Sequence, residues 1–313
     1  MYTQETLCLG SRDSALALAQ TNLVAQMLHR AWPDLKVSVK TFKTQGDIHL
    51  ETSLAKIGGK GLFVHELETA LFEKQIDLAV HSLKDMPADL PDGLALLPVL
   101  EREDPRDVLL SRTNIPLSAL PSGSVVGTSS LRREAQLRRL RPDLSYEIIR
   151  GNLQTRYRKL FDPPYQAIVL AAAGIHRLNW NSRIAQYFEP WKQMVPAVAQ
   201  GILAAEFRLD DARVRQALTP LLSPTTTIAA LAERATMRVL QGGCTMPLGV
   251  YCRVATSGYE MKGMLFLPDG STAVSAEETF DGSHPEQAGK RLAESILNAG
   301  GREILQTLME KHS

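Results

Sequence analysis

A short apolar run, a polar turn and then a helical stretch recur along this chain, and an arginine or lysine stands close behind each apolar run. Leu7–Leu9 gives way to Ser11-Arg12-Asp13-Ser14, and Ile76–Val80 ends in His81-Ser82-Leu83-Lys84-Asp85. Val125-Val126 leads through Gly127-Thr128-Ser129-Ser130 to Arg132-Arg133, Tyr146–Ile149 stops at Arg150-Gly151-Asn152, and Ala167–Leu170 passes through small residues to Arg177. Short continuous apolar runs bounded by turn signals read as buried strands, and strands alternating with helices imply an α/β fold with a largely parallel sheet. Ligands of open α/β sheets bind outside the carboxyl ends of the strands. Chemistry is therefore expected where these runs end.

At the first such end, Ser14 caps a helix expected to run to about Trp32, with Leu16, Leu23 and Met27 on or near one face. Its free N–H groups attract anions, and Arg12 adds a planar fork suited to carboxylate. Asp85 is the candidate working group of the next end; the plain alternative is a carboxylate that caps a turn beside a solvated Lys84. Arg132 and Arg133 at a helix start oppose the macrodipole, a local misfit unless an anion sits between them. The alternative for Arg132, Arg133, Arg138, Arg139 and Arg141 is a solvated or, less readily, a nucleic-acid-binding face. Lys56 and Lys60 flank a glycine-rich stretch, Ile57-Gly58-Gly59-Lys60-Gly61, which lacks the G-x-x-x-x-G-K-[ST] order of a nucleotide loop.

Further on the grammar changes. Thr225–Leu240 reads as a helix with Ile228, Leu231, Ala235 and Val239 at near-helical spacing, and Gly242-Gly243 ends it. Cys244 follows at once, either as a reachable thiol in a flexible loop or as a small buried hydrophobe. Val250–Val254, Met261–Leu267 and Thr272–Thr279 read as antiparallel strands, with a closing helix from about Pro285 to Asn298. Charged residues 101–107 and the segment Pro196-Ala197-Val198-Ala199-Gln200-Gly201 are the expected crossovers between domains.

Composition narrows the function classes. The 313 residues carry 35 Lys+Arg against 34 Asp+Glu, a formal net charge of +1, which gives no support for nucleic acid or a membrane surface as the main partner. No apolar run approaches 18 residues and no basic-then-apolar leader opens the chain, so a cytoplasmic protein is expected. Cys8, Cys244 and Cys252 are odd in number and show no metal-ligand spacing; neither a disulfide framework nor a metal site is expected.

Seven segments in order, Ser11–Ala17, Lys56–Phe63, Ala79–Pro87, Glu101–Asp107, Gly127–Arg133, Arg150–Asn152 and Gly242–Cys244, closely resemble the porphobilinogen deaminase (hydroxymethylbilane synthase) family over nearly the whole chain. The resemblance implies three domains: two periplasmic-binding-protein-like α/β domains joined by two crossovers, and a smaller α+β domain with an antiparallel sheet. On this chain they would be residues 1–100 with 201–219; 105–195, binding substrate carboxylates; and 224–313, carrying the cofactor cysteine. It implies an enzyme, a transferase that joins four porphobilinogens head to tail with loss of ammonia to make hydroxymethylbilane in tetrapyrrole biosynthesis. It further implies a dipyrromethane cofactor attached to Cys244 through a thioether and held by Lys84, Ser129, Ser130, Arg132, Arg133, Arg150 and Gly151. Arg12, Ser14, Arg150, Arg156 and Arg177 would bind substrate, and Lys56 and Lys60 would handle or gate the chain. Asp85 would steady the cation left when ammonia departs.

One departure stands out: the family usually has Pro-x-x-Gly-Gln-Gly at the second crossover, where this chain has Ala199. If that position needs φ > 0, alanine costs about 1 kcal/mol and stiffens the crossover. Without the resemblance, a two-lobed sensor of a small polycarboxylate or a thiol enzyme pairing Cys244 with His81 would be the competing readings. A monomer with a small-molecule substrate is expected, since no heptad or unexplained apolar stripe is evident.

Overall fold

The computed structural model describes residues 6–44, 64–241 and 246–310. Among them the strands in chain order are β1 (Thr6–Arg12), β2 (Lys36–Phe42), β3 (Leu78–Ser82), β4 (Leu94–Val99), β5 (Asp107–Ser111), β6 (Val125–Gly127), β7 (Ser145–Glu147), β8 (Tyr165–Ala171), β9 (Gln186–Tyr187), β10 (Leu203–Arg208), β11 (Leu248–Ala255), β12 (Gly258–Phe266) and β13 (Ala273–Phe280). The chain forms two compact units, residues 1–103 with 201–227 and residues 104–200 with 228–313.

The first unit holds a five-stranded sheet in the order β2-β1-β3-β10-β4. β1 pairs parallel with β2 and β3, while β10 runs antiparallel to both β3 and β4, so four strands share one direction. Leu78 and Val80 of β3 join Leu7, Leu9, Val24 and Leu28 in one core, and Ala79 joins Leu67, Leu71 and Ile76 in another. Period-two alternation thus feeds helices on opposite faces, Ala15–Ala31 on one and His65–Phe72 on the other. Each such Leu, Ile or Val contributes about 1.5–3 kcal/mol of burial.

The second unit repeats the plan. Its sheet runs β7-β6-β8-β5-β9, with β6 parallel to β7 and β8, and β5 antiparallel to β8 and β9. Val108, Leu110, Ile168 and Leu170 pack on one face, Leu109, Val126, Ala167 and Val169 on the other. In both sheets the one reversed strand, β10 or β5, directly follows a crossover. The same unit also contains the meander β11-β12-β13, antiparallel throughout. A helix, Pro285–Ile296, crosses it so closely that a Cβ on Gly263 would lie 2.6 Å from Ile296 Cδ1.

Several expected faces shift. In Ala15–Ala31 the buried residues are Gln20, Thr21, Val24 and Leu28, with Leu23 and Met27 flanking the core and Leu16 only partly buried. In the helix Pro224–Val239, Leu231 and Val239 are exposed, while Ala229, Ala230, Ala232, Glu233 and Thr236 are buried. Close approach decides this: a Cβ on Gly289 of the neighbouring helix would sit 2.1 Å from the Ala232 carbonyl oxygen, leaving room only for small side chains. The strand expected over Tyr146–Ile149 is β7, which stops at Glu147. Beyond Ile296 the chain turns through Gly300, at φ +109°, into a further helix, Arg302–Glu310, which periodicity did not announce.

The second crossover holds Ala199 at φ +58° and fully buried, so the condition for strain is met. A left-handed alanine costs about 1–2 kcal/mol. Its N–H donates to Glu233 Oε2 at 2.6 Å, and hydrogen bonds to charged groups contribute about 1.5–3 kcal/mol. The carboxylate offsets the strain. Gly201, at φ +92°, has no such latitude, because a Cβ there would lie 2.3 Å from the Glu103 carbonyl oxygen.

Candidate functional site

The polar groups expected at strand ends do gather at the carboxyl edge of each sheet. In the first, β1 ends in Arg12, which is half-buried, and Ser14 caps the following helix by accepting from Ala17 N at 3.2 Å. Beside it β3 runs into a single turn of 3₁₀ helix, Leu83–Asp85, closed by Met86 N donating to Leu83 O. Leu83 and Met86 point into the core, which leaves Lys84 half-buried and Asp85 exposed on a short, firmly anchored loop. A carboxylate so placed is open to a ligand.

Beneath that loop lies a buried titratable cluster that sequence reasoning did not anticipate. His81 Nε2 and Glu206 Oε2 are 3.0 Å apart with side-chain exposures of 4% and 0%, and Glu206 Oε1 has no partner among the described residues. Glu68 is held above its ordinary carboxyl range, by burial first and by the charge of Glu206 second, with His81 and His65 opposing. The sequence signal was an acid inside the apolar run Leu203–Phe207. His81 is thus engaged by Glu206, which suits an orienting part better than partnership with a thiol.

The second unit supplies most of the cations. Asp107, the first residue of β5, lies at the same sheet edge as the end of β8, with which it pairs at Ala171. Its carboxylate is fully buried and accepts from Arg132 Nη1 at 2.7 Å, Arg132 Nη2 at 3.3 Å, Arg133 Nε at 2.8 Å and Gln200 Nε2 at 3.0 Å. Burial alone would raise this carboxyl; the charges of Arg132 and Arg133, with hydrogen bonds from Arg132 and Gln200, outweigh it and hold the group far below the carboxylate range. An anion does sit between the two arginines at the helix start, and it is the protein's own. The misfit with the macrodipole is therefore resolved internally and by itself calls for no ligand.

The forks are not fully used. Arg132 also reaches Val195 O at 2.7 Å and Arg133 reaches Val169 O at 3.0 Å, yet Arg132 Nε has no partner among the described residues. Ser129 Oγ donates to Ile149 O, and Ser130 Oγ caps the helix Leu131–Leu140 by accepting from Arg133 N at 3.4 Å. Arg150, half-buried after β7, has neither a hydrogen-bond acceptor nor an ion-pair partner among the described residues. Gly151 next to it takes φ +118°, where a Cβ would lie 2.6 Å from Thr155 Cγ2. That turn brings Asn152 Oδ1 to Thr155 N as a cap and lets Arg156 Nε donate to Gly151 O at 2.7 Å. Arg177 ends the short helix Ala172–Arg177 and is half-buried.

Around them, Arg106 pairs with Asp104 at 2.6 Å and stacks 4.0 Å over Tyr187, whose hydroxyl lies 3.0 Å from His176 Nε2. Cys244, Lys56 and Lys60 fall outside the described residues, and Cys252 is buried. Among the described residues there is no group of His, Cys, Asp and Glu able to hold a metal ion, and no helix long and apolar enough to cross a membrane.

Comparison with known proteins bears on this arrangement. Residues 7–216 match the family described as porphobilinogen deaminase, dipyromethane cofactor binding domain, and residues 227–298 match porphobilinogen deaminase, C-terminal domain. A porphobilinogen deaminase from Syntrophobacter fumaroxidans is 42% identical over 306 residues, covering 98% of this chain and 99% of its own. Among solved structures, the sulfate-bound regulatory domain of OxyR2 from Vibrio vulnificus is similar at 17% identity and TM-score 0.44, over 71% of this chain and 98% of that one. The VFT2 domain of Bordetella pertussis BvgS is similar at 13% identity and TM-score 0.42, over 69% of this chain and 85% of that one.

Proposed function

Because the chain belongs to the porphobilinogen deaminase family, we propose that its strand-end cations grip the carboxylates of porphobilinogen and of the growing chain, while Asp85 and Cys244 serve the chemistry. The enzyme is a transferase that links porphobilinogen units head to tail, with release of ammonia, into hydroxymethylbilane. Each pyrrole unit of the substrate brings an acetate and a propionate, and guanidinium forks match carboxylates in both charge and plane.

The donor set fits an acid-bearing dipyrromethane. Support comes from two cations at one sheet edge with capacity left over: the unpartnered, buried Nε of Arg132, and Arg150, which has no acceptor among the described residues. Arg132, Arg133, Arg150, Ser129, Ser130, Gly151 and Lys84 would hold that group, and Cys244 would carry it by a thioether, sulfur being the strongest carbon nucleophile of the side chains near neutral pH. When bound, it supplies the pyrrole carbon from which the chain grows. Arg12, Ser14, Arg156 and Arg177, with Arg150, would orient incoming substrate, and Lys56 and Lys60 would handle the lengthening chain. Asp85 would steady the positive charge that develops on the substrate as ammonia leaves and would receive or return its pyrrole N–H proton.

The domain division 1–100 with 201–219, 105–195 and 224–313, a monomeric state and a cytoplasmic location belong to the same reading. Purified protein mixed with porphobilinogen, then oxidised, is expected to develop porphyrin absorbance. A colourless mixture from folded protein would overturn the assignment.

A further inference from the structure

The buried acid Glu233 has no place in the chemistry above, yet it is tied to the residues that have one. It is fully buried on the helix Pro224–Val239, and its two carboxylate oxygens accept backbone N–H groups from two separate elements. Oε2 takes Ala199 N at 2.6 Å, and Oε1 takes Cys252 N, on β11, at 2.7 Å. Ala199 is the left-handed residue of the crossover, and its neighbour Gln200 is itself fully buried. From there Gln200 Nε2 donates to Pro105 O at 2.7 Å and to Asp107 Oδ1 at 3.0 Å, and Asp107 orients Arg132 and Arg133. The same segment is held again where Val250 N donates to Pro196 O at 3.0 Å and Arg132 Nη1 donates to Val195 O. A continuous set of hydrogen bonds therefore runs from the meander, through one carboxylate and one strained residue, to the arginine forks.

Left-handed alanine is held against its preference, and such a conformation persists only where its surroundings over-determine it. Glu233 is what does so on the N–H side. We propose that Glu233 is a positioning residue for carboxylate binding: it holds Ala199 left-handed, which fixes Gln200, which in turn sets the Asp107 carboxylate and the aim of Arg132 and Arg133. This rests on the reading that those arginines hold the acid groups of the dipyrromethane, the tethered group against which incoming porphobilinogen is placed.

The test uses the full chain carrying Glu233→Gln, whose amide keeps one acceptor but turns an N–H₂ toward a backbone donor. Loss of aim would displace the tethered group that incoming substrate must meet, and is expected to raise the KM for porphobilinogen at least tenfold, with kcat changed less than threefold. Glycine adopts φ > 0 without help, so adding Ala199→Gly to Glu233→Gln is expected to bring KM back to within threefold of wild type. An unchanged KM in Glu233→Gln, or a double variant no better than the single one, would overturn the proposal, since a bulk structural role would not be relieved by removing a buried methyl.

Should Glu233→Gln fail to fold, Gln200→Met cuts the next link at nearly constant volume and is expected to give the same rise in KM; a wild-type KM there counts against the chain of contacts. Amide hydrogen exchange separates the two readings. Exchange at residues 199–200 faster in Glu233→Gln, in a protein that does not consume porphobilinogen, would leave the positional network standing and the substrate wrong. Unchanged exchange would sink the network itself.

Discussion

Replacing Asp107 with asparagine tests the second unit's charge cluster at its centre. The carboxylate is fully buried and receives four hydrogen bonds from three side chains between 2.7 and 3.3 Å, two of those side chains being guanidinium groups that are themselves nearly buried. Asparagine keeps the shape, removes the charge and presents an N–H₂ to a donor. Breaking a buried pair from one side leaves an uncompensated charge and costs about 3–5 kcal/mol. At ~2–4 °C per kcal/mol for a body of this size, the unit's melting temperature should fall by about 6–20 °C. The pH dependence has a definite sign. Asp107 is held far below its unfolded value of about 3.9, so its stabilisation is present above about pH 4 and is lost as pH falls toward the folded value. Thermal melting followed by circular dichroism from pH 7 to pH 3 reads both effects. The variant should begin less stable and lose less on acidification than wild type. The exposed pair Arg141–Asp143, 2.7 Å apart, provides the control, and Asp143→Asn should barely move the melt. An Asp107→Asn protein that melts within a degree of wild type at pH 7 would refute the reasoning.

Three further outcomes are expected. Asp85→Asn should abolish nearly all turnover and Asp85→Glu should reduce it less, with both melting like wild type because Asp85 is exposed; wild-type turnover in Asp85→Asn would remove it from the mechanism. Intact mass should show two pyrrole units on the wild type and none on Cys244→Ser, and an unmodified wild type would count against the thioether. Gly201→Ala places a Cβ 2.3 Å from the Glu103 carbonyl oxygen at φ +92°; a loss of about 2 kcal/mol or more in urea unfolding is expected, and an unshifted midpoint would show that the crossover relaxes easily.

The ends of strands were legible in the chain because their signal is local. Leu78-Ala79-Val80 is apolar, His81-Ser82 and Lys84-Asp85 are polar, and the change falls two residues before β3 passes into its 3₁₀ turn. Boundaries of the three meander strands came out within three residues for the same reason. Helix faces were less legible. Leu231 and Val239 fit a helical stripe and are nevertheless exposed, since what the helix Pro224–Val239 meets is the backbone around Gly289, which admits only alanine and threonine. Spacing records which residues share a face but not how near the neighbour comes.

The candidate site divides along the same line. Arg12, Lys84, Asp85, Arg150 and Arg177 could be nominated from sequence, because a charged group after a buried strand has to emerge at the sheet edge. That Arg132 and Arg133 share a buried partner could not, since Asp107 lies 25 and 26 residues away in the chain and the contact exists only once β5 enters the sheet reversed beside β8. Glu206 and Glu233 were hidden in the same way, each an acid in an apolar stretch whose partner arrives from a distant element. By itself the chain determined where strands stop and which charges stand there, because hydrophobic periodicity and turn chemistry act over a few residues. Only the tertiary structure decided which of those charges are already neutralised within the protein, because a buried charge is settled by whatever the fold brings within 3 Å of it.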